Sequence, residues 1–364
     1  MLAVVGFAVI GIQLLFLILF LIAFQRKAIV SSQPPRPVSI IVCAHDEEQN
    51  LRELVPLLLQ QNHPQFEVIV VEDRCNDDTY DFLLQATKEN ALLRMVRVVN
   101  KPEHVNGKKY ALTLGIKAAK YDRVLLTDAD CRPVSLQWAR EMSGWYLPET
   151  IFVLGFSPYR RTASLLNAFI RFESTLTGIQ MVGMALLGKP YMGLGRNLLY
   201  EKKVFLENKG FHKHLEVTGG DDDLFVNQHA TSQNTLVKLG AETATVSVPK
   251  ETWREYFHQK VRHLSVGKRY KLSDKLLLGL FSLSWMAIWL LVFPLAWFHP
   301  LGHWLVGTLV IRWVAIAYLF HRASARLGQP FETWKVPFLD FIYSFYYLVA
   351  GVAALKAKRI RWKN

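Results

Sequence analysis

Cysteine is scarce in this 364-residue chain: Cys43, Cys75 and Cys131 are the only three, and none has CxxC spacing. The odd count argues against a disulfide framework and suits a reducing compartment. No His/Cys cluster has the spacing of a structural zinc site. Charge is missing from Met1 to Phe24, where Gln13 is the one strongly polar residue. That stretch also lacks a basic leader and a small-residue cleavage site, so it does not read as a cleaved signal peptide. A glycine-rich phosphate loop is missing after the first apolar strand, where Ala44-His45-Asp46-Glu47-Glu48 stands instead. This argues against a nucleotidyltransferase. Acidic residues are outnumbered, 30 Asp+Glu against 43 Lys+Arg, giving a net charge of +13. With no nucleic-acid-binding motif in the chain, that excess points to an anionic bilayer surface or phosphorylated substrates rather than to nucleic acid.

What is present at both ends is apolar. At ~1.5 Å per residue, Met1–Phe24 can cross a hydrocarbon core of ~30 Å. Arg26 and Lys27 follow it, and basic flanks stay in the cytosol, so the middle of the chain is expected there. Residues 31–37, Ser-Ser-Gln-Pro-Pro-Arg-Pro, read as a short stiff linker. Leu276–Phe298, interrupted by Pro294, is a second apolar run. Leu301–Phe320 is a third, with Arg312 inside it, and Val336–Leu355 is a fourth, with Asp340 inside it. Ionisable residues in such runs face a protein interior, serve function, or snorkel to the interface. Three crossings after a cytosolic domain would put Lys356, Lys358, Arg359, Arg361 and Lys363 outside, against the charge rule, whereas the loop with Arg322, Arg326 and Lys335 would be inside. One resolution is that 336–355 lies in the interface or re-enters. The resulting division is an anchor (1–25), a catalytic domain (37–250), an interfacial helix (251–274), membrane helices (275–355) and a basic tail (356–364).

From Val38 the pattern changes to alternating strands and helices. Strands are expected at 38–43, 66–71, 94–99 and 123–127, and helices at 48–60, 78–89 and 107–120. In the first helix Leu51, Leu54, Val55 and Leu58 repeat on one face. A βαβα order predicts an α/β domain with a mostly parallel sheet covered on both faces. Such sheets bind ligands beyond the carboxyl ends of their strands. Ala44–Glu47, Glu72-Asp73 and Asp128-Ala129-Asp130 all fall there.

Two carboxylates two residues apart at a strand end, Asp128 and Asp130, can hold a divalent cation that neutralises a diphosphate. A lone DxD is common, and its place after a buried strand is what gives this one weight. Asp73 is placed to accept hydrogen bonds from a base or ribose, whereas Asp77 and Asp78 read as capping residues of the next helix. Gly107-Lys108-Lys109 opens a helix and suits an anion, or is a solvated basic turn. Gly219-Gly220-Asp221-Asp222-Asp223 is the sharpest local signal. Three adjacent carboxylates repel one another, and one of them could serve as a general base, with Asp223 as a helix-start acid. Trp253–Arg269 reads as a basic, aromatic interfacial helix in which Gln259 and Arg262 share a face and Arg262 could bind a diphosphate.

Taken in order, these motifs resemble the inverting family 2 glycosyltransferases of GT-A (Rossmann-like) fold, the group that holds cellulose, chitin and hyaluronan synthases and ceramide glucosyltransferase. The resemblance runs from Val38 to Arg262. It implies that Ala44, Glu47, Asp73, Lys108, Asp128, Gln259 and Arg262 bind a nucleotide-sugar donor. Asp130 and Asp128 would hold Mg²⁺ or Mn²⁺, and Asp221 or Asp222 would be the base. Gly195, Arg196, Asn197 and His263 would lie toward the acceptor. The chain departs from the family in having Gly220-Asp221-Asp222-Asp223 at the base motif, which leaves the register open, and in His263 replacing the Trp of QxxRW. Few spans favour transfer to a lipid or lipid-linked acceptor by a bacterial inner-membrane protein. The alternatives are a processive polysaccharide synthase and an inactive scaffold of a glycan-synthesis complex.

Overall fold

A computed structural model describes residues 2–26, 34–144 and 147–357. Lys27, linker positions 31–33 and the tail from Lys358 lie outside the described residues. The chain divides into two units. One is made of 27–160 and 188–249, the other of 1–26, 161–187 and 250–360.

The first unit is α/β. Strands β1 (Val38–Ala44), β2 (Phe66–Asp73), β3 (Leu93–Val98) and β4 (Arg123–Asp128) alternate with helices α2 (Glu48–Leu59), α3 (Thr79–Glu89) and α4 (Gly107–Ala118), α1 being the N-terminal helix described below. β5 (Cys131–Pro133) and helix α5 (Trp138–Ser143) follow, then β6 (Phe152–Leu154), β7 (Leu198–Glu201), α7 (Lys202–Glu207), α8 (Asp223–His229), β8 (Thr235–Val237) and β9 (Thr245–Ser247). The main sheet runs β3-β2-β1-β4-β7-β6-β8, parallel from β3 to β4, with β7 antiparallel to both neighbours. β5 and β9 form a separate ribbon. β1 and β2 are buried along their whole length apart from Cys43, which is why they read as continuous Val/Ile runs rather than alternating ones. Leu51, Leu54, Val55 and Leu58 are the buried stripe of α2. Each large apolar side chain so buried contributes roughly 1.5–3 kcal/mol. Strand order reverses between β1 and β4, and there Cys43 pairs with Asp128 across the sheet. This is the crevice position for ligands in a doubly wound sheet.

Among the described residues, the second unit contains four helices long and apolar enough to cross a membrane. These are α1 (Leu2–Gln25), the run 272–298, α12 (Gly302–Arg326) and α13 (Val336–Lys356, with a 3₁₀ turn before it). The run 272–298 comprises α10 (Leu272–Ala287), a π turn (Ile288–Val292) and α11 (Phe293–Phe298). Pro294 was expected to interrupt this run. Instead the chain widens into the π turn just before the proline and stays helical, a usual way to absorb its missing N–H. α13 is a single continuous 21-residue helix that contains 336–355. Helices α6 (Leu165–Leu186) and α9 (Trp253–Val266) complete the unit. Arg312 and Asp340 do not snorkel: both are fully buried and form an ion pair, Nη1–Oδ2 2.7 Å.

Candidate active site

Two of the expected carboxylates meet through one lysine. Asn106 caps α4 with its side chain, and the first turn of that helix aims Lys108 at the end of β4. Lys108 Nζ lies 2.9 Å from Asp128 Oδ1 and 3.3 Å from Asp221 Oδ2. Burial opposes the charge on Lys108, but Asp128, Asp221 and Asp222 outweigh it and raise its pKa well above the ordinary lysine value. The expected anion site at Gly107-Lys108-Lys109 is thus divided. Lys108 faces carboxylates, while Lys109 is fully buried and donates to the His214 and Val217 carbonyls at 2.6 and 2.9 Å. In doing so Lys109 anchors the segment that leads into the acidic run.

Gly219 and Gly220 carry φ of +87° and +78°, left-handed conformations that strain any side chain, and this turn presents the acids that follow. The three acids then part company. Asp221 pairs with Lys108. Asp222 is half-buried and accepts from Gly195 N–H through Oδ2 (2.6 Å) and from Asp223 N–H through Oδ1 (2.7 Å). Asp223 accepts from Leu224 N–H at the start of α8. Burial raises the Asp222 pKa, Asp221 raises it further, and Lys108 and the two N–H donors only partly offset this. Gly195 therefore orients an acid through its backbone, and a Cβ there would stand 3.1 Å from Asp222 Oδ2.

Asp130 is pushed up by burial, then by Asp128 and Glu47, with the Arg196 guanidinium opposing. Arg196 is held by Ser247 Oγ (3.0 Å) and lies 4.5 Å over the Tyr159 ring. Asp128 and Asp130 are hard oxygen donors, and the repulsion that Asp128 and Glu47 exert on Asp130 is one that a divalent cation such as Mg²⁺ or Mn²⁺ would relieve, so the donor chemistry fits such an ion. Glu47 also accepts from Asn50 at 2.7 Å. A different trio, Asp46, Cys75 and Asp77, has potential ligand atoms within 4.8 Å of one another. Its carboxylates serve as loop acceptors, for Asn76 N–H (2.6 Å) and for Thr79 and Glu48 N–H (both 3.1 Å).

Two expected ligand contacts are otherwise engaged. Asp73 is fully buried and its carboxylate accepts from Arg74 Nε (2.7 Å) and Nη2 (3.0 Å), Arg74 having folded back at φ +54°. A base or ribose would reach Asp73 only after Arg74 moved. Asn197 is also fully buried. Its Nδ2 donates to the Phe156 and Thr243 carbonyls (2.7 Å each) and its Oδ1 accepts from Trp138 Nε1 (3.0 Å). It bolts the sheet end together instead of facing an acceptor. Asn197→Ala should lower unfolding free energy by on the order of 3 kcal/mol, because three buried partners lose their hydrogen bonds. Thermal or chemical denaturation of the full chain checks this, and a loss under about 1 kcal/mol would contradict the bolt. Ala44 is fully buried at the end of β1, where its carbonyl accepts weakly from Cys75 Sγ at 3.5 Å.

Gln259, Arg262 and His263 lie on α9, in the other unit. A capping box of Thr252 and Glu255 starts that helix. Arg262 Nη2 is 3.1 Å from His263 Nε2. Buried Glu173 on α6 accepts from Tyr256 (2.7 Å) and Lys260 (2.5 Å) of α9. No sequence motif marks Glu173, whose acidity inside an apolar helix is the one hint.

Comparison with known proteins agrees with this architecture. The family model described as glycosyl transferase family 2 matches residues 39–170. The probable glycosyltransferase YdaM of Bacillus subtilis is 23% identical over 237 residues, 62% of this chain and 54% of that protein. The poly-beta-1,6-N-acetyl-D-glucosamine synthase of Staphylococcus epidermidis is 28% identical over 109 residues, 29% of this chain and 25% of that protein. The chain thus spans about half the length of the first curated relative and a quarter of the second. Among solved structures it is similar to the mannosyltransferase PcManGT from Pyrobaculum calidifontis in complex with GDP-Man and Mn²⁺ (TM-score 0.63, 18% identity, 99% of this chain and 100% of that one). The stretch that carries the parallel strands ending in Asp128 and its acidic neighbours is thus the one that matches the glycosyl transferase family 2 model, and the α/β unit has a GT-A-like fold.

Proposed function

We propose that the chain transfers a sugar from a nucleotide-sugar donor to a lipid or lipid-linked acceptor at the cytosolic face of a membrane, with inversion at the anomeric carbon. The observation that carries this reading is the meeting of Lys108 with Asp128 and Asp221, beside Asp222, at the strand-order switch between β1 and β4. Asp128 and Asp130 would hold Mg²⁺ or Mn²⁺, which offsets the charge of the donor diphosphate when bound. Lys108 would turn from Asp221 toward that diphosphate, so its cation is shared between the resting carboxylates and the donor. Asp222, with both oxygens fixed by backbone N–H groups, each still holding a spare lone pair, would take the proton of the acceptor hydroxyl. Attack in line by that hydroxyl needs no enzyme nucleophile.

The relative named as a poly-N-acetylglucosamine synthase favours a second reading, a processive synthase, which the size of the product separates from single transfer. The test is nucleotide release by the purified chain from UDP- and GDP-sugars with Mg²⁺ or Mn²⁺ and a membrane lipid extract. Wild type should release nucleotide only with metal, and Asp130→Ala should lose at least about a hundredfold. Metal-independent release would refute the assignment of Asp130. Absence of both turnover and metal-dependent donor binding would move an inactive scaffold to the front.

A further inference from the structure

The unit with the apolar helices contains a cavity of ≈ 790 Å³ between the N-terminal end of α6 and the start of α13. Its apolar wall is Leu165, Trp334 and Phe338, which are 52%, 78% and 57% exposed, so their surfaces are open to whatever fills the space. Its charged groups are Arg161, Arg171 and Lys335. Arg171 is buried and fully engaged, bonded to Glu332 (3.0 Å), the Pro330 carbonyl (3.0 Å) and Gln329 (3.3 Å), and forms a fixed floor. Arg161 shares Glu332 at 2.7 Å. Lys335 has no carboxylate within 4.0 Å among the described residues; its ammonium lies 5.3 Å from the Trp334 ring centre. Three cations against the one carboxylate of Glu332 leave two positive charges beside an apolar wall.

The position of the cavity narrows the occupant. Trp334 and Lys335 immediately precede α13 and Phe338 lies in its first turn, at one end of a membrane-length helix, and α12 reaches the same connection through Arg322 and Arg326. Aromatic and basic residues together at a span's end mark the head-group level. A soluble anion would leave the apolar wall wet, and a neutral lipid would leave the cations unused.

We propose that this cavity binds a lipid with a phosphate head group, the phosphate between Arg161 and Lys335 and the first tail carbons along Leu165, Trp334 and Phe338. The positive end of α6, capped by Ser164, adds to the attraction. As a place for an acceptor the site rests on the transferase reading above; as a binding site it rests on the cavity alone. The experiment is native mass spectrometry of the full chain with farnesyl phosphate or farnesol, and with phosphatidylglycerol or diacylglycerol, no sugar donor being present. The phosphate-bearing lipid should be retained one per chain, and Arg161→Gln with Lys335→Gln should weaken it about tenfold or more while farnesol is unchanged. Farnesyl phosphate surviving excess phosphatidylglycerol would assign the site to a prenyl phosphate, and its displacement would assign it to the bilayer's own lipid. Equal retention of charged and neutral lipids, or no loss in the double variant, would overturn the proposal. A donor-induced thermal shift, expected to match wild type in the double variant, tests the transferase reading separately and shows that the variant is folded.

Discussion

Asp222→Asn should reduce transfer by roughly a hundredfold to ten-thousandfold, the usual contribution of a positioned general base, while donor binding stays within a few-fold of wild type. The amide keeps the shape of the side chain and can still accept one of the two backbone N–H bonds from Gly195 and Asp223. It cannot take a proton. Asp221→Asn should behave differently, because Asp221 faces Lys108 and its loss changes how tightly that lysine is held for the donor. Its signature is a change in donor KM larger than the change in kcat. Rate against pH gives an independent reading. A base acts ionised, so with Asp222 in that role the rate should fall as pH falls through its pKa. Burial and Asp221 raise that pKa, so the acid limb should lie above the range of an ordinary aspartate, 3.8 being the unperturbed value. Lys108→Met removes a group that lowers it, so the limb should move to still higher pH. If Asp222→Asn retained a tenth or more of the rate, or if Asp221→Asn alone abolished kcat, the base would be Asp221.

The parallel half of the sheet was readable because buried parallel strands are uninterrupted Val/Ile runs, and helix α2 because its leucines repeat at helical spacing. The three-residue strands β5, β6, β8 and β9 were not, since so short a segment has no period to detect. Residue type and place in the chain single out Asp128, Asp221 and Asp222 as candidates but say nothing of their partners. Lys108 and Lys109 are chemically identical neighbours, and only the rotation of α4 sends one to the carboxylates and the other into the loop of His214. Asp73 read as an open acceptor because nothing in the letters shows that Arg74 turns back at a positive φ. Asn197 sits in a Gly-rich motif that suggested a ligand. Its role depends on Trp138, Phe156 and Thr243, which approach it only after folding.

The second large effect is expected inside the apolar helices. Arg312 and Asp340 are fully buried and bonded through both carboxylate oxygens, Nη1–Oδ2 at 2.7 Å and Nη2–Oδ1 at 3.2 Å. Trp289 and Trp313 each donate an indole N–H to Asp340 Oδ2 at 3.2 Å. Gln13, buried within α1, lies 3.5 Å from Arg312 Nη2 and donates to Ser284 at 2.7 Å. The charge of each ion is answered within the helix group, which is what allows two otherwise prohibitive residues to sit inside helices long and apolar enough to cross a membrane. Removing either one alone strands the other. Asp340→Leu and Arg312→Met should each lose about 3–5 kcal/mol, the penalty for an uncompensated buried charge. The double variant should recover most of it, because an apolar pair of similar volume replaces a well-made but heavily desolvated one. Detergent-titrated unfolding of the two single variants and the double completes the cycle. A coupling below about 0.5 kcal/mol, the size expected of independent sites, would mean that the two side chains do not meet. Strong coupling would instead tie α13 to α12 through a bond that cannot form with Asp340 at the water interface.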